Sequence, residues 1–151
     1  MKMKFLLMTI VLATVLAFAA CSGREPEIGE SEHSEAMENL YQAFEDVTNI
    51  IVSLTYELSE MESQDAFATR LAEFASLREH VGLTYEIITI FSESIQEEYI
   101  DEFFDFMDVV HLMFEAMLEL EIALYDITYD NEVAIQQATE AFYTKLATIE
   151  Q

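Results

Sequence analysis

Two histidines and their acidic neighbours are the side chains whose types and spacing come nearest to chemistry. Asp108 and Glu115 stand three before and four after His111, and Glu79 adjoins His80. On a helix, the first three share one face. A helical hairpin turning near residue 95 would set position 80 opposite about position 110, and the two imidazoles would then share one level. Imidazole flanked by carboxylate suits a divalent transition metal. Metal sites inside helical bundles use Glu-x-x-His pairs on two helices. Here Asp108 to His111 is an aspartate version of one pair, and Leu77 stands where the acid before His80 would be. The candidate metal ligands are therefore His80, Asp108, His111 and Glu115. The competing reading makes both histidines boundary residues paired with carboxylates along the helix surface.

A second group is the stripe Asp101, Asp105, Asp108, Glu115, Glu119 and Asp126. It keeps heptad spacing and could collect hard cations such as calcium. Specific calcium sites wrap the ion in loop oxygens, whereas a helix face points its carboxylates outward, so a solvated face is the simpler reading. No glycine-rich phosphate loop, nucleophile elbow or cysteine pair occurs, and an enzyme is not expected. No bound cofactor is expected beyond a divalent metal on these groups.

The elements that position these residues read as helices. Met37, Leu40, Phe44, Val47, Ile51, Leu54, Leu58 and Met61 recur at alternating spacings of three and four, an unbroken a/d seam. A second seam runs Phe67, Arg70, Phe74, Leu77, Val81, Thr84, Ile88, Phe91 and Ile95, and a third Tyr99, Phe103, Phe106, Val110, Met113, Met117, Leu120, Leu124 and Ile127. Met107, Phe114 and Leu118 widen the third, which predicts the deepest helix; its methionines read as core rather than as an adaptable groove. The last seam is Ile135, Ala138, Phe142, Leu146 and Ile149. Ser63 with Asp65, Ser94 with Glu97, and Asp130 with Asn131 supply helix-start chemistry. Gly82 is the one glycine after Gly29, and Pro26 is the one proline. The expectation is an all-α, antiparallel up-down four-helix bundle with coiled-coil-like seams. With no breaker near Ser92 to Ser94, the alternative is one continuous element for helices two and three, giving an extended coiled coil or a dimer.

Two scarce cations and Gly82 sharpen the expected packing. In a hairpin of helices one and two, Arg70 falls near Glu57, and Arg78 falls near positions 48 and 49 of helix one; both would make fold-specifying ion pairs. Gly82 in mid-helix costs about 1 kcal/mol against alanine and would allow either a close approach or a kink.

The first twenty-one residues address the chain. Lys2 and Lys4 precede an apolar run from Phe5 to Ala20 that ends at Cys21, the one cysteine present. The run is short for a membrane span and has the form of an export signal. Phe18-Ala19-Ala20-Cys21 resembles the lipobox of bacterial lipoprotein precursors, with Phe18 where an aliphatic residue is usual. The resemblance covers the signal alone. It implies cleavage after residue 20, a diacylglyceryl group on Cys21, and residence in the bacterial cell envelope on the extracytoplasmic side of a membrane. An ordinary secretory signal cut near Ala20 and an uncleaved anchor are the plainer alternatives.

Domain organisation follows: a signal peptide over 1–20, an acylated cysteine and flexible tether over 21–33, and an acidic helical bundle over 34–151. The tether could extend roughly 40 Å. All 30 acidic residues follow the signal, against Arg24, Arg70, Arg78 and Lys145 alone. Nucleic acid is thereby excluded as a partner, and attachment to a membrane must come from acyl chains rather than from a basic surface. The function expected is a lipid-anchored, non-catalytic binding or envelope-structural module, with a protein or cationic ligand as its partner. The alternative is an extracytoplasmic cation-binding protein using the acidic faces or the His80/His111 site.

Overall fold

The computed structural model describes residues 30–91 and 100–149. The signal, Cys21, most of the tether and the Ser94 capping box lie outside the described residues. Among the described residues there are four helices: α1 (Glu30–Leu58), α2 (Gln64–Phe91), α3 (Ile100–Leu124) and α4 (Glu132–Ile149). No strand occurs among the described residues. Residues 30–33, expected in the tether, already belong to α1.

The seams become the core almost residue for residue. Met37, Leu40, Ile51, Leu54 and Leu58 of α1 are buried, as are Phe67, Phe74, Leu77, Val81 and Ile88 of α2. α3 buries nine side chains, from Phe103 to Leu124, and is the central helix. Its broad apolar face includes Met107, Met113 and Met117, all buried. α4 contributes Ile135, Phe142 and Leu146. Edge-to-face ring contacts tie the helices together across the core, Phe74 of α2 to Phe142 of α4 with centroids 6.2 Å apart and Phe44 of α1 to Phe106 of α3 at 6.0 Å.

α2 and α3 are separate helices packed side by side, so the continuous coiled coil is excluded. Two of the expected caps are in place. The Ser63 hydroxyl accepts from the Ala66 amide at 3.2 Å, and the Asn131 side-chain carbonyl accepts from the Ala134 amide at 3.2 Å. Each removes an orphan donor from the first turn of its helix. The Tyr129 amide donates to the Gln64 side chain at 3.0 Å, which joins the two corners at one end of the bundle. The amino end of α1 lies at the other, about 43 Å away along a helix of 29 residues.

The expected ion pair of Arg70 with Glu57 is present at 2.8 Å, with Glu73 as a second acceptor. Arg78 differs from expectation. It meets Glu121 of α3 at 2.6 Å, not a carboxylate of α1, and its guanidinium lies 5.6 Å from the centre of the Phe114 ring. The reason is rotational: position 78 follows Leu77 of the seam on the flank that faces α3. Gly82 belongs to the same contact. A Cβ built there would stand 2.9 Å from Cε2 of Phe114, so the glycine permits a close approach of α3.

That contact decides a substitution. Gly82→Ala gains about 1 kcal/mol of helix propensity but drives a methyl into the Phe114 ring, an overpacking cost of roughly 1–3 kcal/mol. The expected outcome in thermal unfolding is a net loss of about 1 kcal/mol, restored when Phe114→Leu is added. A Gly82→Ala protein more stable than the parent would refute the close-approach account.

Candidate functional site

The structure separates the two histidines. Gly82 faces Phe114 and the Tyr85 ring meets that of His111 at 5.4 Å. This register sets His111 level with position 85, five residues beyond His80 and roughly 7–8 Å along the axis. The shared level required a turn near residue 95, and the packing of the α2–α3 pair is offset from it. The Nδ1 of His80 lies 2.5 Å from the Ser76 carbonyl of its own helix. His111 is exposed and pairs with Glu115 at 3.4 Å across one turn, while Asp108 is exposed on the same helix. Among the described residues no group of three or more His, Cys, Asp or Glu side chains converges. The stripe Asp101, Asp105, Asp108, Glu115, Glu119 and Asp126 is exposed throughout, and Glu119 is bridged to Lys145 of α4.

A different site is built between α1 and α4. These neighbours pack less closely than α2 with α3 or α3 with α4, and they leave a cleft of about 310 Å³ lined by Thr55, Tyr56, Ser59, Glu132, Gln136, Thr139 and Tyr143. It lies at the end of the bundle remote from the amino end of α1. Among the described residues the buried polar side chains are Thr55, wholly enclosed, and Thr139, 8 % exposed. Both line this cleft. The interior is otherwise apolar, so its polarity is concentrated at one place.

The hydrogen bonds of the lining residues run in one sense. Thr55 donates to the Ile51 carbonyl at 2.8 Å and Thr139 to the Gln136 carbonyl at 3.0 Å. Ser59 donates to the Tyr56 carbonyl at 2.7 Å, and the Tyr143 hydroxyl reaches the Val52 carbonyl at 3.4 Å. Gln136 turns its amide nitrogen to Glu140 at 2.8 Å. The Tyr56 phenol is held above its ordinary pKa by its hydrogen bond to Glu60, then by that carboxylate's charge, and Tyr143 is raised by burial. Each hydroxyl proton is thus committed to an acceptor of the protein's own. The cleft is lined by hydroxyls, the Gln136 amide and the Glu132 carboxylate. No lysine, arginine or histidine lines it, and Asn131 already satisfies the Ala134 and Ile135 amides at the start of α4.

Sequence reasoning passed over this site because its signal is weak. A threonine beside a seam residue, as Thr55 is beside Leu54, reads as a tolerated flank, and nothing in the periodicity tells which helix pair stands apart. Comparison with known proteins gives no match: no family model, no curated protein and no solved structure is similar to this chain.

Proposed function

We propose that this chain is an exported, lipid-anchored binding module of the bacterial envelope, non-catalytic, displayed on the extracytoplasmic side of a membrane through acyl chains on Cys21. The observation that carries the reading is the place of that cysteine. It follows Ala19-Ala20 at the end of an apolar run and precedes a bundle in which no described helix is long and apolar enough to cross a membrane. The bundle's carboxylates are repelled by anionic headgroups, so a hydrophobic anchor is the attachment that remains. Binding is favoured over catalysis by the cleft, which gathers hydroxyls, one amide and one carboxylate and pairs no nucleophile with a base.

Membrane extraction tests the attachment. The full chain is expected to stay in the membrane fraction through alkaline carbonate and high salt, and to be released by non-ionic detergent. Release by carbonate or salt would overturn an acyl anchor.

The exposed stripe of carboxylates from Asp101 to Asp126 favours one second reading, a surface that collects divalent cations loosely. Such binding would be diffuse, weakened by salt, and indifferent to removal of any single side chain.

A further inference from the structure

From a second heptad seam along the outer side of the α2–α3 pair we infer a docking groove for a basic amphipathic helix of a partner protein. The inference rests on the binding-module reading and concerns a surface apart from the cleft. On α3, positions from Phe104 to Tyr125 recur at alternating spacings of four and three beside the core seam, and on α2 those from Ala68 to Thr89 do the same. Gly82 of the one seam meets Phe114, the neighbour of Glu115 in the other, and His111 meets Tyr85, the neighbour of Glu86. The two seams therefore run side by side and antiparallel. A seven-residue repeat left on the outside of a helix pair is the pattern against which a further helix packs.

The half of the groove next to the Gln64–Tyr129 corner is apolar. The register sets Ala72 level with Tyr125 and Ala75 level with Ile122. Ile122 and Tyr125 are 66 % and 79 % exposed, and Ala68 and Ala72 are exposed across from them. Small side chains on one wall and large ones on the other leave a hollow for the knobs of a third helix. The other half is anionic. Glu79 and Glu86 of α2 and Asp108 and Glu115 of α3 are exposed on these same seams. Glu115 pairs with His111, while Arg70, Arg78 and Lys145 are engaged by Glu57 and Glu73, Glu121 and Glu119. No described arginine or lysine is left to neutralise the groove.

These local charges select the occupant. A second copy in isologous contact would set the same four carboxylates against their counterparts, and anionic headgroups are repelled by them as well. A helix with an apolar stripe and lysine or arginine beside it answers both halves: the stripe covers Ile122, Tyr125 and the alanines, and the cations meet Glu79, Glu86, Asp108 and Glu115. The groove is about 32 Å long, so the partner segment spans about three heptads.

Fluorescence-anisotropy titration of labelled peptides with the detergent-extracted full chain tests the inference. The probe is a three-heptad peptide with leucine at a and d, lysine at e and g, and alanine elsewhere. Its comparators are the same residues in an order without the repeat, and the repeat with glutamate for lysine. The lysine heptad peptide is expected to bind one per chain, the reordered peptide at least tenfold more weakly, and the glutamate peptide not measurably. Ile122→Ser with Tyr125→Ser should weaken binding about tenfold or more, as loss of two central apolar anchors implies. Glu79→Gln with Glu86→Gln should weaken it and flatten its salt dependence, whereas Glu38→Gln with Glu45→Gln, the same loss of charge on exposed positions of α1, should leave it unchanged. Equal binding of the reordered peptide, or equal loss from the α1 pair, would reduce the effect to general acidity and overturn the groove. Absence of binding would overturn it too, without bearing on the membrane attachment that extraction tests. Sedimentation equilibrium covers the remaining occupant: a dimer that dissociates in the Ile122→Ser, Tyr125→Ser variant would make it a second copy, overturning the basic partner and leaving the binding-module reading in place. All the substituted positions are exposed, and helical circular dichroism checks that each variant is folded.

Discussion

Phe74→Ala is expected to remove about 3–5 kcal/mol of stability, a large share of the roughly 5–15 kcal/mol that holds a domain folded. Phe74 is fully buried on α2 and its ring meets that of Phe142 on α4 edge-on. The truncation therefore opens a void where α2 meets α4 across the core. α4 has 18 residues against 29, 28 and 25 for the others, and it packs mainly against α3. Phe104→Ala is the matching control: Phe104 is 49 % exposed, and its loss should cost about 1 kcal/mol or less. Denaturant unfolding followed by circular dichroism measures both. Equal effects at the two positions would contradict the core assignment.

The second expected result concerns Cys21→Ser. With the one thiol replaced, no acyl chain can be attached, and the mature domain should move from the membrane to the soluble fraction or remain as an uncleaved precursor. For a cleaved chain the release is expected to be near total, since its acidic surface gives no second route of attachment, whereas an uncleaved precursor would stay in the membrane through its apolar run. Each buried methylene of an acyl chain is worth about 0.8 kcal/mol, and removing the chains removes all of it.

The fold was legible because its main signal is periodic. Among the described residues twenty-two side chains form the buried apolar core, and all but Met107 and Ala116 fall on a/d positions of the seams; Met107 widens the third seam. Burial in a bundle is decided by angle around the helix, and angle is what a heptad records. The caps at Ser63 and Asn131 were legible for a similar local reason, since side-chain oxygen and first-turn amide lie within three residues of each other. Arg70 with Glu57 was found because a short corner fixes the register of α1 against α2.

What failed was register across the longer junction and the choice of neighbour on a flank. The His80/His111 level depended on where the α2–α3 hairpin turns, and an offset of a few residues carries a side chain out of reach while leaving every seam intact. Arg78 was assigned to α1 because hairpin counting gives level but not side; its position next to Leu77 turns it to Glu121 and Phe114 instead. The cleft was illegible for a deeper reason. Thr55 and Thr139 acquire meaning only from the looseness of the α1–α4 contact, and that is a property of four helices together.

We propose that covalent lipid on Cys21, the one cysteine, delivers this bundle to a membrane. The most direct measurement is the intact mass of the native chain extracted from membranes with detergent, together with its fragmentation at the amino end. The expected result is a chain beginning at Cys21, heavier than residues 21–151 by covalently bound acyl groups that fragment with the amino-terminal residue. A chain beginning at Met1, or one beginning at or near Cys21 without added lipid mass, would contradict it.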